Sequence, residues 1–300
     1  MSDRSIKKAL IPAAGFGTRM YPATKALKKE LFPIVDRDGR AKPIIMAIVE
    51  EAISGGIEEI AIVVQQSDRD LFSDLLKSPP KAELFAKLSA ENQQYTEYLQ
   101  GLGDRITILT QTEQEGFGHA VFCSQDWVNN EPFLLLLGDH VYSSNSGVSC
   151  AKQMIDIYQQ VNTSVLGITV MDADIIHKAG CVAGNWRDEN EILEITQIYE
   201  KPTLEYARNN LTVPKMAQDK FLGIFGMYVL ESKIFNLLGD EIANDRRYKG
   251  EFQLTTCLEK LRIQYSAIAY LVKGKYYDTG MPLFYRQTMI DYYNDTVTRS

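Results

Sequence analysis

Three short apolar runs, within Lys8–Ala13, Ile60–Val64 and Phe133–Leu137, set the strongest limit on what this chain can fold into. The last two carry no charge, as strands covered on both faces require. Stretches with helical spacing separate them: Pro43–Ser54, which Gly55–Gly56 should stop, and His119–Val128. A further strand, Arg105–Leu109, leads into Gln111. Strand alternating with helix is the sequence sign of parallel βαβ units, so the first half predicts an α/β, doubly wound, Rossmann-like sheet.

The pattern changes after Thr163. Strands expected at Ser164–Met171, Ile192–Tyr199 and Phe221–Leu230 alternate with short helices and polar turns, which is α+β in character and makes the sheet mixed. A helix over Pro282–Tyr293 closes the chain. Between Ala82 and Gly103 a polar stretch sets Leu84, Leu88, Tyr95, Leu99 and Leu102 near one face, predicting an inserted helix or helical pair. No repeat or Pro/Gly-rich linker divides the 300 residues, so one domain is expected, with halves near 1–140 and 141–300.

A net charge of −7 argues against a surface for nucleic acid or for an anionic membrane, so an anionic ligand would need a local patch of cations. Cys123, Cys150, Cys181 and Cys257 lie far apart without Cys-x-x-Cys spacing, which suggests neither a zinc site nor a disulfide framework and fits a reducing cytoplasm. Met1–Leu10 lacks the apolar stretch of a signal peptide, and no later run approaches a membrane span. A soluble, cytoplasmic protein is expected.

After the first strand comes Gly15-Phe16-Gly17-Thr18-Arg19, where small residues let backbone N–H groups approach a polyphosphate, or simply make a tight turn. A dinucleotide fingerprint would need glycine at Met20 and an acid after the second strand, where Val64-Gln65-Gln66 stands; a Walker A loop would need Gly-Lys-Ser/Thr. A nicotinamide-dependent oxidoreductase is therefore disfavoured. Arg19, Lys25, Lys28, Lys29, Arg37, Arg40 and Lys42 then crowd one segment against Glu30, Asp36 and Asp38. Such a run is either a solvated face or, beside a phosphate-type loop, a clamp for triphosphate.

Taken together, Ala13–Lys25 and Lys28-Lys29-Glu30-Leu31-Phe32-Pro33 resemble the signature of the sugar nucleotidyltransferases, and nearest the branch that couples UTP to glucose 1-phosphate. Further blocks follow in the family's order: Gln111 with Gly116–Ala120, Gly138-Asp139, Glu200-Lys201-Pro202, Gly250–Leu254 and Tyr277–Gly280. The resemblance implies the nucleotidyltransferase type of sheet and a sugar-binding second half. It implies that Ala13, Ala14, Gly15, Gly17, Glu30, Gln111 and Gly116 bind the nucleotide, Gln111 by pairing its amide with a pyrimidine edge. Arg19 and Lys29 would be the catalytic cations on the triphosphate. Asp139 and Asp278 would hold Mg2+. Gly180, Glu200, Lys201, Gly226 and Glu251 would bind the sugar phosphate.

The implied reaction makes UDP-glucose and pyrophosphate from UTP and glucose 1-phosphate by in-line attack on the α-phosphorus, in a homodimer or homotetramer. No general base is needed, because the attacking phosphate is already ionised. Gly138 stands where this branch usually has proline and is more like the thymidylyl branch, so dTTP stays open as the nucleotide. A non-catalytic sugar-nucleotide sensor could dispense with Lys29 or either aspartate, and all are present. His119, His140 and His177 lack metal-ligand spacing, and none is assigned a catalytic role.

Overall fold

The computed structural model describes residues 5–187 and 191–297; the first four residues of the charged start lie outside them. Strands occupy β1 (Lys8–Pro12), β2 (Pro33–Val35), β3 (Ala41–Pro43), β4 (Glu59–Gln65), β5 (Ile106–Gln111), β6 (Phe133–Leu136) and β7 (His140–Ser144). The remainder are β8 (Ser164–Asp172), β9 (Gly180–Trp186), β10 (Ile192–Glu200), β11 (Lys220–Leu230), β12 (Ala267–Leu271) and β13 (Gly274–Asp278). Among the described residues nine strands form one mixed sheet in the order β5-β4-β1-β6-β11-β8-β12-β10-β9. No helix among them is long and apolar enough to cross a membrane.

The unbroken apolar runs have a direct cause. In β1, Ala9 and Ile11 enter one core and Leu10 the other; in β4, Ile60, Ile62 and Val64 face one core while Ala61 and Val63 face the second. Phe133 and Leu135 alternate with Leu134 and Leu136 in the same way. Side chains alternate across a strand, so a strand covered on both faces must be apolar at every position. β5, β4, β1 and β6 are parallel, as their spacing implied.

β11 then runs antiparallel to both β6 and β8, and its register slips between Ile224 and Tyr228. Gly226 sits in that slip at φ 84°, a conformation glycine adopts without steric cost. Beyond the slip β11 pairs with β6; before it, Leu222 and Gly223 pair with Val182 and Cys181 of β9. The second half of the sheet thus closes on itself through β11, β8, β12, β10 and β9, a closure that strand alternation could not announce.

Other departures are local. The helix expected at His119–Val128 is two, Phe117–Phe122 and Gln125–Val128. Ser124 breaks it by donating both N–H and Oγ to the Val121 carbonyl. The helical insert is real, as Ala82–Phe85 and Ala90–Gly103, the latter capped by Ser89. Its expected apolar face holds only in part: Leu102 is buried, Leu99 packs on the core, and Leu84 is 55% exposed. The helix Arg69–Lys77, with Phe72 and Leu76 buried one turn apart, was not foreseen.

A small second sheet matters most for the site. β7 pairs antiparallel with β13, setting His140 opposite Asp278. Just before β7, a Cβ on Gly138 would lie 2.5 Å from the Pro12 carbonyl oxygen, so the end of β1 and the turn carrying Asp139 approach as closely as backbones can. Gly138→Ala is therefore expected to cost about 1–3 kcal/mol in urea unfolding. Gly101→Ala, on an open helix face with nothing within 4 Å, should be neutral or stabilise by up to about 1 kcal/mol. Equal effects at both positions would contradict this packing.

Candidate active site

A cleft of about 670 Å³ opens beyond the C-terminal ends of β1, β5 and β6, where ligands enter open α/β sheets. Ala14, Gly15, Arg19, Lys29, Glu30, Gln111, Gly116, Asp139, Gly180, Glu200, Lys201, Gly226, Glu251 and Asp278 all line it. Ala13 and Gly17 do not. Ala13 is buried in the core and gives its N–H to Val63, so its small side chain serves packing. Gly17 turns the loop at φ 67°, where a Cβ would lie 2.8 Å from Thr24 Cγ2.

At the centre Lys29 Nζ donates to Asp139 Oδ2 at 2.5 Å, both side chains being 14% exposed. His140 Nδ1 lies 3.0 Å from the other oxygen, Oδ1. Burial alone would raise the Asp139 pKa, but the Lys29 charge and the His140 contact outweigh it and hold the carboxyl well below its ordinary value. Burial likewise opposes the charge on Lys29, and Asp139 with Glu30 prevails to raise its pKa. Thr279 donates N–H (2.8 Å) and Oγ1 (2.7 Å) to the Asp139 carbonyl, which fixes the end of β13 against the start of β7. A Cβ on Gly280 would meet Asp139 Oδ2 at 2.6 Å, Asp278 Oδ1 at 3.1 Å and Arg19 Nη2 at 3.3 Å. Those three groups therefore surround one small space. Asp139, His140 and Asp278 also offer ligand atoms within 4.8 Å of one another, a proximity that spacing along the chain does not reveal.

On one side of this centre, buried Gln111 donates Nε2 to the Gly116 carbonyl at 3.2 Å and lies 3.0 Å from His119 Nδ1. The resemblance makes Gly116 a nucleotide-binding residue. In the structure its missing side chain makes room first for the protein: at φ 111° a Cβ would sit 2.7 Å from Glu251 Cβ and 2.8 Å from the Phe252 carbonyl. Phe252 N–H donates to Glu115, and Gly118 N–H donates to Phe252, binding the two walls of the cleft together. Gln65, which carries no signal in the sequence, supports the glycine loop by donating Nε2 to the Ala14 carbonyl at 2.8 Å.

On the opposite side Gly180 and Glu200 face each other in the β9–β10 register. Glu200 Oε2 accepts from Thr255 at 2.7 Å, and a Cβ on Gly180 would lie 3.2 Å from that oxygen. Lys201, at φ 48°, turns out of β10 with Nζ 3.2 Å from Glu200 Oε1. Lys178 and Phe284 also line the cleft, the ammonium 4.3 Å from the ring centre, with no signal in their sequence surroundings.

The basic segment is not a single clamp. Lys28 pairs with Asp68, Arg37 with Glu51, Arg40 with Asp38 and Glu91, and Lys42 with Asp36, Asp38 and Glu50. None of these cations lines the cleft, and neither does Lys25; of that run only Arg19 and Lys29 do.

Glu30 is the least comfortable group here. Its Oε2 is buried without a hydrogen-bond partner, and burial, opposed by the Lys29 charge, pushes its pKa up to about 7. The folded protein then holds this proton more tightly than the unfolded chain. The stabilisation is complete below the ordinary glutamate range and is lost as pH rises through about 7. In ligand-free protein, wild-type stability should fall between pH 5 and pH 8 by up to roughly 3 kcal/mol more than that of Glu30→Gln. Parallel stability–pH curves for the two would refute the assignment.

The family model described as nucleotidyl transferase matches residues 8–294. A UTP–glucose-1-phosphate uridylyltransferase of Staphylococcus epidermidis is 35% identical over 298 residues, covering 96% of this chain and 93% of the relative. A solved UDP-glucose pyrophosphorylase complexed with UDP-glucose is 31% identical, with a TM-score of 0.79 over 96% of this chain and 99% of its own. UTP-bound UGPase from Acinetobacter baumannii is 27% identical, with a TM-score of 0.75 over 96% of this chain and 93% of its own. With residues 8–294 matched by the family model and 96% of the chain covered by a relative 35% identical to it, the chain belongs to the nucleotidyl transferase family.

Proposed function

We propose that this protein makes UDP-glucose and pyrophosphate from UTP and glucose 1-phosphate. The observation that carries the reading is the convergence of Arg19, Asp139 and Asp278 on the space beside Gly280, with Lys29 bound to Asp139. Two cations and two hard carboxylates at one point suit the meeting of two polyanions, where repulsion is the main obstacle. The names of the relatives support the substrate pair.

A phosphate oxygen of the sugar phosphate attacks the α-phosphorus; the new P–O bond forms as the bond to the β-phosphate oxygen breaks and pyrophosphate leaves. Lys201 holds the sugar phosphate, and Glu200, steadied by Thr255, accepts hydrogen bonds from sugar hydroxyls. Gly180 keeps the floor beneath the ring low, beside Gly226 and Glu251. Gln111 has its amide nitrogen turned to Gly116, so its carbonyl oxygen accepts from the N3–H of uracil. Arg19 and Lys29 neutralise the triphosphate as charge moves onto the leaving group. Residues 1–140 thus serve mainly the nucleotide and 141–300 the sugar phosphate.

Magnesium fits the donor set: Asp139 and Asp278 supply hard oxygens, and the absent side chain of Gly280 leaves a cradle that a Cβ would fill. When bound, it would neutralise phosphate charge between the two substrates. The same reading makes the protein a cytoplasmic homodimer or homotetramer, for which light scattering of the purified protein is the test.

Asp139→Asn and Asp278→Asn should each lower kcat at least about a hundredfold with the fold retained by circular dichroism, and excess chelator should do likewise. Full turnover in chelator would remove the metal from the reaction. Pyrophosphate release measured across nucleotides should give the highest kcat/KM with UTP, a lower one with dTTP and little with ATP or GTP. Uracil and thymine offer Gln111 the same edge, and a methyl group is worth only about 1–3 kcal/mol in a pocket. A higher value for dTTP would transfer the protein to the thymidylyl branch.

A further inference from the structure

Both oxygens of Asp139 are taken up by the protein itself. Oδ2 accepts from Lys29 at 2.5 Å, and Oδ1 faces His140 Nδ1 at 3.0 Å. The two partners differ in freedom. The His140 ring packs against Tyr276, tilted by 30° with centres 4.9 Å apart, and its backbone lies in the β7–β13 register opposite Asp278. Lys29 instead reaches Asp139 through a four-carbon stem and can turn about each bond of it. If one contact yields, it is the lysine.

Charge balance says when it yields. Around the space beside Gly280 stand Arg19 and Lys29 against Asp139 and Asp278, a group close to neutral. A divalent cation arriving alone would have to break a pair whose members are each 14% exposed and leave the Lys29 ammonium beside Arg19 and a metal ion. Among the described residues the other carboxylate paired with Lys29 is Glu30, whose Oε1 lies 3.7 Å from Nζ and which is itself buried. A triphosphate brings several negative charges, gives Lys29 a better partner, and offsets the metal's charge in the same event.

We infer that Lys29 occupies the Asp139 carboxylate as a stand-in cation in the nucleotide-free protein, and that the arriving triphosphate opens Asp139 to a divalent ion by drawing Lys29 to itself. His140 is then a positioning residue, keeping Asp139 aimed while its other partner changes. Metal and nucleotide enter together, and the metal has little affinity for the free site. This rests on the reading of Asp139 and Asp278 as metal ligands.

The test is Mn2+ alone, titrated into nucleotide-free protein and followed by the electron paramagnetic resonance of the free ion. Wild type should bind within about threefold of Asp139→Asn, because Asp139 contributes nothing while Lys29 holds it. Lys29→Met should bind at least about tenfold tighter than wild type, and Lys29→Met/Asp139→Asn should fall back to the Asp139→Asn level. Lys29→Gln repeats the arm in case the methionine variant does not fold. Wild-type affinity tenfold or more above that of Asp139→Asn would overturn the inference, and so would folded Lys29 variants that bind no tighter than wild type. Turnover that survives chelation would instead sink the metal reading, and it is measured separately from these affinities.

Discussion

The carbonyl of Asp139 accepts two hydrogen bonds from Thr279, and the geometry of the cleft depends on that junction. Thr279 has no exposed surface, so water does not compete for either bond. Through it the chain after β6 and the chain after β13 become one structural unit, extended by the β7–β13 ladder. The ladder sets Asp278 opposite His140, and so beside Asp139. Gly138 and Gly280 complete the arrangement by what they lack, since a Cβ at either would strike Pro12 or the carboxylates themselves.

A site made of close charges of both signs must be held by something other than those charges. Lys29 and Asp139 attract, but both lose hydration, and a buried pair is often no more stable than an apolar one. The cost is met by the sheet, whose parallel half buries apolar residues on both faces. Glu30 marks where the cost is incompletely met, with one oxygen buried and unpaired. Such groups persist where substrate binding changes the local charge.

The two walls of the cleft are coupled by backbone as well. Gly116 and Gly118 let the loop after β5 lie directly on Phe252, with a hydrogen bond in each direction. Glu251 is thereby placed from the same segment that touches Gln111's loop. A shift of one wall is transmitted to the other without passing through the charged centre.

What could be read from residues alone follows from local physics. Apolar runs of strand length, helical spacing between them and glycine at the first turn state the parallel sheet and the position of its cleft, because each depends on neighbours in the chain. The family blocks contain most of the residues that line the cleft. Pairing between distant charges was not legible. Arg37, Arg40 and Lys42 look like ligands for an anion until Glu51, Glu91 and Glu50 arrive from helices folded against them. No spacing along the chain marks His140, whose neighbours Asp278 and Tyr276 come through β13. The closing of the second half through Gly223 and Cys181 was equally silent. Sequence determines which faces must be buried and which turns can be made; only the tertiary structure decides which charges cancel each other and which remain to meet a substrate, since that depends on distances no spacing in the chain encodes.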